Sequence, residues 1–140
     1  MQRRIVIADD DLTILSLVSM RLGLARFDVL SAESGPAAMA LIHKSEPMAV
    51  ILDVRMPGGG METLAALKAD PHTAALPVMM LSGERDSELV MAAMDAGAAD
   101  YMVKPFNPDR LLERVQRLVK SSAMVWNKTA ASPAAPVWEL

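Results

Sequence analysis

The stretch RIVIADDD, residues 4–11, places a short β-branched run directly before three consecutive aspartates. A run of this length and composition is typical of a buried strand. Outward from it, four more short apolar runs follow along the chain, and segments with the period of a helix separate them. This alternation predicts β-α-β units that wind around a parallel sheet.

Five strands and five helices can be placed on the sequence from periodicity and turn residues. The predicted strands are Arg4–Ala8, Phe27–Ala32, Ala49–Leu52, Pro77–Leu81 and Tyr101–Val103. The predicted helices are Leu12–Leu22, which Gly23 helps to end, one that Ser34 caps and Pro47 terminates, Met61–Ala69, Asp86–Ala96 and Pro108–Lys120. We therefore expect a doubly wound, five-stranded α/β sheet of the flavodoxin-like kind, for which the strand order 2-1-3-4-5 is known.

Length and composition limit the organisation of the chain. Its 140 residues, of which 52% are hydrophobic, suffice for one folded domain. Residues 1–121 are predicted to form that domain, and the Ser-, Ala- and Pro-rich residues 122–140 a linker or C-terminal tail. The net charge of −3 argues against nucleic-acid binding by this segment. The sequence lacks cysteine, a signal peptide and an apolar run of membrane length, which favours a cytoplasmic location without membrane contact.

Ligands of a parallel sheet bind at the carboxyl ends of its strands, so the residues there are the first candidates for a site. The predicted strands are followed by Asp9, Asp10 and Asp11, by Asp53, by Ser82 and by Lys104. Clustered carboxylates repel one another unless a cation neutralises them, and a site with few protein oxygen ligands favours Mg2+. With Mg2+ present, Asp53 can act as an oxygen nucleophile toward phosphorus, while Lys104 and Ser82 stabilise the phosphoryl oxygens. For Asp11, capping of the following helix is an equally good interpretation.

The motifs at these strand ends occur in an order that resembles the receiver family of two-component response regulators, over roughly residues 3–120. They are Asp9-Asp10, Asp53 with Pro57 four residues on, Ser82-Gly83 and Lys104-Pro105-Phe106. The resemblance implies that Asp53 accepts a phosphoryl group, that Lys104 pairs with that group, and that Ser82 and Tyr101 form a switch. It also implies that Mg2+ is held by Asp10, Asp53, the backbone carbonyl of Arg55 and, partly through water, Asp9.

The same resemblance implies partners and output. The phosphoryl donor would be a sensor histidine kinase or a histidine phosphotransfer protein, and the output a downstream effector or an output domain beyond residue 140. Winged-helix regulators form a homodimer through charges on their fourth and fifth helices, and Asp100 with Arg114 is similar to part of that set. Val90 and Arg110, however, stand where an opposite-charge pair is expected. The family acts as a signalling switch and not as a turnover enzyme.

Two further features follow from the family pattern around Pro57 and Pro105. Receivers usually carry a Met-Asp-Gly run after the residue equivalent to Pro57, whereas this chain has Gly58-Gly59-Gly60-Met61-Glu62. We expect altered loop mobility and kinase docking there. Receivers also hold the bond equivalent to Lys104–Pro105 in the cis form, which is inexpensive only before proline.

Other proteins with related folds fit the sequence less well. A haloacid-dehalogenase-like phosphatase also uses an aspartate nucleophile that requires Mg2+, but it needs a second acid two residues later, where this chain has Arg55. A flavodoxin-like carrier binds FMN phosphate after its first strand, where three negative charges would repel it. A P-loop NTPase needs a GxxxxGK[ST] motif, which the sequence lacks.

Several residues outside the motifs have simpler interpretations or open roles. The isolated His43 and His72 are interpreted as surface residues without a ligand. Arg55 and Glu84 flank the candidate site with opposite charges, and we expect a salt bridge between them. Of the two tryptophans in the C-terminal segment, Trp126 and Trp138, we expect at least one to dock on an apolar surface.

Overall fold

The structure, a computed structural model, describes residues 3–122 and 124–126. Its strands are β1 (Arg4–Ala8), β2 (Asp28–Ala32), β3 (Ala49–Asp53), β4 (Val78–Ser82) and β5 (Asp100–Val103). Its helices are α1 (Leu12–Leu24), α2 (Gly35–Ser45), α3 (Gly60–Ala69), α4 (Ser87–Asp95) and α5 (Pro108–Lys120). The strands are parallel and lie in the order β2-β1-β3-β4-β5, which confirms the predicted doubly wound sheet.

The sheet separates two apolar cores, because successive side chains of each strand point to opposite faces. In β1, Ile5 and Ile7 join the core beneath α1 and α5, whereas Val6 and Ala8 join the core beneath α2, α3 and α4. All five residues of β3 and of β4 are buried. The strand interiors are therefore committed to packing, and chemically active side chains are left to the strand ends.

The first helix differs from its predicted extent. Gly23 does not end α1, which continues through it to Leu24. A glycine is tolerated inside a helix at a modest cost, and the turn that ends α1 comes later. There the Ala25 backbone N–H bonds Leu22 O, and Arg26 takes a left-handed conformation with φ of 71°. The other predicted bounds differ from the observed ones by one residue at most.

The described part of the chain reaches past α5 to Trp126, which packs against the core beneath α2, α3 and α4. This confirms the expectation that one of the two tryptophans docks. Trp138 lies outside the described residues. The predicted domain boundary after residue 121 stays a prediction.

Candidate functional site

Three carboxylates meet at the carboxyl ends of the two central strands. Asp9 directly follows β1 and is fully buried, whereas Asp53, the last residue of β3, is 4% exposed. Asp10 is exposed, and oxygen atoms of the three side chains lie within 4.8 Å of one another. The predicted acidic cluster is therefore formed because β1 and β3 are neighbours in the sheet.

Lys104 brings a positive charge into this cluster from the other side. It follows β5, and its Nζ donates a hydrogen bond to Asp9 Oδ2 at 2.7 Å and lies 3.4 Å from Asp53 Oδ1. The Lys104–Pro105 peptide bond is cis, as the sequence predicts. The ammonium thus touches both buried carboxylates, while Asp10 has no ion pair among the described residues.

The electrostatic balance differs between the carboxylate and the ammonium. Burial, and then the charge of Asp9, raises the pKa of Asp53 from 3.8 to about 6, although Lys104 opposes the rise. Burial alone would lower the pKa of Lys104, but its hydrogen bond to Asp9 and the charges of Asp53 and Asp9 outweigh this and raise it. One ammonium therefore does not neutralise the site, and an additional positive charge would stabilise ionised Asp53.

The donor set fits a small, hard divalent cation. Carboxylate oxygens are the ligands that Mg2+ prefers, and it binds through a few of them while retaining water. The closeness of Asp9, Asp10 and Asp53 and the raised pKa of Asp53 are both features that the positive charge of a bound cation would offset. Asp11 takes another role: its Oδ1 accepts hydrogen bonds from the Thr13 and Ile14 backbone N–H groups and caps α1.

A second group of contacts lies around Ser82 at the end of β4. Ser82 is fully buried, and its Oγ accepts a hydrogen bond from the Glu84 backbone N–H at 3.0 Å. The Tyr101 hydroxyl donates to the Glu84 carbonyl oxygen at 3.1 Å. The two residues of the expected switch are thus connected through the backbone of Glu84, a link that the sequence reasoning missed.

The side chain of Glu84 also makes the predicted salt bridge. Arg55 Nε donates to Glu84 Oε1 at 2.6 Å, and Arg55 Nη2 contacts the same oxygen. The Arg55 side chain is 74% exposed and that of Glu84 37%, so the pair lies at the surface above the strand ends. Glu84 therefore contacts three of the residues singled out from the sequence.

The loop between β3 and α3 contains a residue whose importance the sequence reasoning also missed. Gly60 packs so closely against the end of β3 that a Cβ there would collide with the Asp53 carbonyl oxygen and lie 2.8 Å from Val54 Cα. Its backbone N–H bonds the Val54 carbonyl at 3.0 Å. The preceding Gly58 and Gly59 have positive φ of 85° and 77°, which few other residues adopt. The run of three glycines in the sequence was the available signal.

Fold and site together define a doubly wound α/β protein with an acidic, lysine-containing site at the strand ends. The family model of the response regulator receiver domain matches residues 5–116, and the chain belongs to that family. It is 36% identical over 118 residues to the DNA-binding dual master transcriptional regulator RpaA of Synechocystis sp., covering 84% of this chain and 49% of that protein.

Further comparisons agree with this membership. The chain is 31% identical over 119 residues to the phosphate regulon transcriptional regulatory protein PhoB of Pseudomonas aeruginosa, covering 84% of this chain and 52% of that protein. It spans about half the length of these curated relatives. The structure of the chemotaxis response regulator CheY4 of Vibrio cholerae matches with a TM-score of 0.79 at 32% identity, over 84% of this chain and 99% of that one. Within the described ranges, no helix is long and apolar enough to cross a membrane.

Proposed function

We propose that Asp53 accepts a phosphoryl group and that its phosphorylation is the signalling event of this receiver domain. One observation carries the proposal: a buried carboxylate at a strand end lies against Asp9, Asp10 and Lys104. In the transfer, an Asp53 oxygen forms a bond to phosphorus, and the phosphorus–nitrogen bond of a phosphohistidine breaks. The released imidazole takes up a proton. An open groove lined in part by Asp10, Arg55 and Leu89 lies beside this cluster, and the donor is proposed to approach along it.

The residues that would hold Mg2+ are Asp10, Asp53 and the Arg55 backbone carbonyl, with Asp9 acting partly through water. The metal would neutralise the carboxylates and the oxygens of the transferring phosphoryl group. Lys104 contributes a further positive charge next to Asp53, because its hydrogen bond to buried Asp9 orients the ammonium. This pairing supports a role for Lys104 in stabilising the phosphoryl group.

Ser82 and Tyr101 are proposed to transmit the change. A phosphoryl group on Asp53 offers new acceptor oxygens to the Ser82 hydroxyl, on the neighbouring strand. If Ser82 turns toward them, its bond with the Glu84 backbone changes, and Glu84 in turn holds the Tyr101 hydroxyl. The contact chain supports the assignment of Ser82 and Tyr101 as the switch.

The proposed donor is a sensor histidine kinase or a histidine phosphotransfer protein, and the proposed location is the cytoplasm. Since the chain spans about half of its curated relatives, the output is proposed to be a downstream effector or a further domain. A homodimer through α4 and α5 has the least support among the proposed partners. Arg114 Nη1 donates to Asp100 Oδ1 of the same chain at 3.2 Å, so these two charges already pair without a second copy. Val90 and Arg110 cannot form a pair of opposite charges.

The site does not support the alternative function as a haloacid-dehalogenase-like phosphatase. The position two residues after Asp53 is filled by Arg55, which pairs with Glu84, so no second acid is available there to protonate a leaving group. We propose that the chain's chemistry is its own phosphorylation and dephosphorylation.

Incubation with the small donor acetyl phosphate, followed by intact-protein mass measurement, tests the proposal. One phosphoryl group should be added in the presence of Mg2+ and none with EDTA. Asp53→Asn should abolish the addition, and Asp11→Asn, which keeps a capping side chain next to the site, should not. Addition to the Asp53→Asn variant at the wild-type level would overturn the assignment.

A further inference from the structure

After α5, the described residues 121–122 and 124–126 return toward the domain. Ser121 closes the helix, since its N–H and its hydroxyl both bond the Arg117 carbonyl oxygen. The Ser122 Oγ then accepts a hydrogen bond from the Met124 N–H at 3.0 Å, which turns the chain. Beyond this turn, Met124 and Trp126 are half-buried, whereas Val125 between them is 80% exposed. This alternation places one side of residues 124–126 against a surface.

That surface belongs to the opposite side of the sheet from α5. Buried residues of α5 join the core that α1 also covers, but Met124 and Trp126 pack against the core beneath α2, α3 and α4. The indole Nε1–H of Trp126 donates to the Pro47 carbonyl oxygen at 2.6 Å. Because Pro47 precedes β3, the chain must pass the amino-terminal edge of the sheet to reach it.

The acceptor of this hydrogen bond is held in place by its neighbours. We call residues 46–48 the α2–β3 corner. Glu46 ends α2 in a left-handed conformation with φ of 51°, and its N–H bonds the Ile42 carbonyl. On the other side of buried Pro47, the Met48 N–H bonds the Arg4 carbonyl at 2.8 Å. The corner therefore presents a fixed carbonyl beside an apolar surface. An indole can pack its ring on that surface and donate its N–H to the carbonyl.

We propose that the α2–β3 corner is a binding site for the indole of Trp126 in the chain's own C-terminal segment. Occupation of the site directs residues 124–126 along the α2 side of the sheet, away from α5. The corner lies at the amino ends of the strands, whereas Asp53 lies at a carboxyl end. The contact therefore lies at the opposite end of the strands from Asp53, and phosphorylation of Asp53 should not depend on it.

Fluorescence of the full chain measures the occupation. The chain has two tryptophans, so Trp138→Phe leaves Trp126 as the only one. Its emission should be shifted to the blue, and its quenching by acrylamide reduced several-fold, relative to the same variant unfolded in urea. Both values should be unchanged on tenfold dilution. Emission and quenching equal to those in urea would overturn the proposal, and so would shielding that disappears on dilution, which would indicate docking on a second copy.

Variants of Trp126 and of its exposed neighbour Val125 show whether the effect on Tm comes from the indole contact or from any change in this segment. Trp126→Ala should lower Tm by several degrees, and Trp126→Phe, which keeps a ring but loses the N–H donor, should lower it by less. Val125→Ala changes the exposed neighbour and should leave Tm as in the wild type. Equal Tm values for Trp126→Ala and Val125→Ala would contradict the binding site. A changed rate of Asp53 phosphorylation in Trp126→Ala would contradict its independence from the acceptor site.

Discussion

Asp53 is held between opposing influences that decide its charge. Its burial and the neighbouring Asp9 disfavour ionisation, while Lys104 favours it, and the pKa settles at about 6. A carboxylate must be ionised to attack phosphorus, and Asp53 loses that charge as the pH falls through about 6. Further positive charge at the site would keep it ionised at lower pH.

The raised pKa of Asp53 predicts a pH-dependent loss of stability without metal. The folded protein holds a proton that the unfolded chain releases, so this contribution is fully present below pH 3.8 and is lost as the pH rises through about 6. Asp53→Asn carries no such charge. Its free energy of unfolding relative to the wild type should therefore rise between about pH 4 and pH 7 by about 1–3 kcal/mol. Urea unfolding in EDTA measures this, and a difference independent of pH would contradict it.

Asp10 is predicted to serve the metal and not the fold. It is exposed and close to two other carboxylates, so Asp10→Asn should leave the metal-free protein as stable as the wild type or more stable. Its affinity for Mg2+ should fall by about tenfold or more, since a direct ligand is lost. Calorimetric titration with Mg2+ measures the affinity. Asp11→Asn is the control and should bind Mg2+ as the wild type does; a loss of several kcal/mol in metal-free Asp10→Asn would show a structural role.

The Arg55–Glu84 salt bridge is predicted to slow the loss of the phosphoryl group. The pair lies above the strand ends, where water must approach phosphorus opposite the Asp53 oxygen. An exposed ion pair contributes at most about 1 kcal/mol, so Arg55→Ala or Glu84→Ala should accelerate dephosphorylation by about fivefold or less. Release of phosphate from the isolated phosphoprotein measures the rate.

A double variant and a neighbouring charge complete the test of this salt bridge. If the two residues act as one, Arg55→Ala with Glu84→Ala should be no faster than either single variant. Arg85→Ala removes an exposed charge from the same loop and should leave the rate unchanged. Independent, additive effects of the two single variants would mean that the salt bridge does not act as a gate.

At the scale of elements, the start of α3 is predicted to position the acceptor strand. A Cβ at Gly60 collides with the Asp53 backbone, so Gly60→Ala should reduce the free energy of unfolding by about 1–3 kcal/mol. It should also slow phosphorylation, because the end of β3 must move. Gly23 has no atom near its missing Cβ, and Gly23→Ala inside α1 should instead stabilise by about 0.5–1 kcal/mol. Chemical unfolding measures the stability of both variants, and labelling by acetyl phosphate measures their rate of phosphorylation. A free energy of unfolding for Gly60→Ala equal to that of the wild type would contradict the close packing.

The elements differ in how far the sequence determined them. Buried strands such as Ala49–Asp53 are short apolar runs that end in a polar residue, and this pattern is local enough to be predicted. The end of α1 could not be predicted in this way. The helix tolerates Gly23, and nothing in the sequence marks Arg26 as the residue that takes the left-handed conformation. The helix propensity of Gly23 therefore does not decide where α1 ends; the turn that leads into β2 does.

At the scale of the whole molecule, the candidate site could be predicted because parallel strands bring their carboxyl ends to one edge. Asp9, Asp53 and Lys104 are distant in sequence but lie at the carboxyl ends of strands of the same sheet. The backbone link through Glu84 and the path of the segment to Trp126 could not be predicted. Both depend on single hydrogen bonds between a side chain and the backbone of a loop, and such bonds leave no pattern in the sequence.

The central claim is that Asp53 is the residue that carries the phosphoryl group. Borohydride reduces an aspartyl phosphate to homoserine, so treatment of the labelled protein followed by tandem mass spectrometry identifies the modified position. We predict homoserine at position 53, only after incubation with acetyl phosphate and Mg2+, and unmodified aspartate at positions 9, 10 and 11. Homoserine at one of those positions, with Asp53 unchanged, would contradict the account.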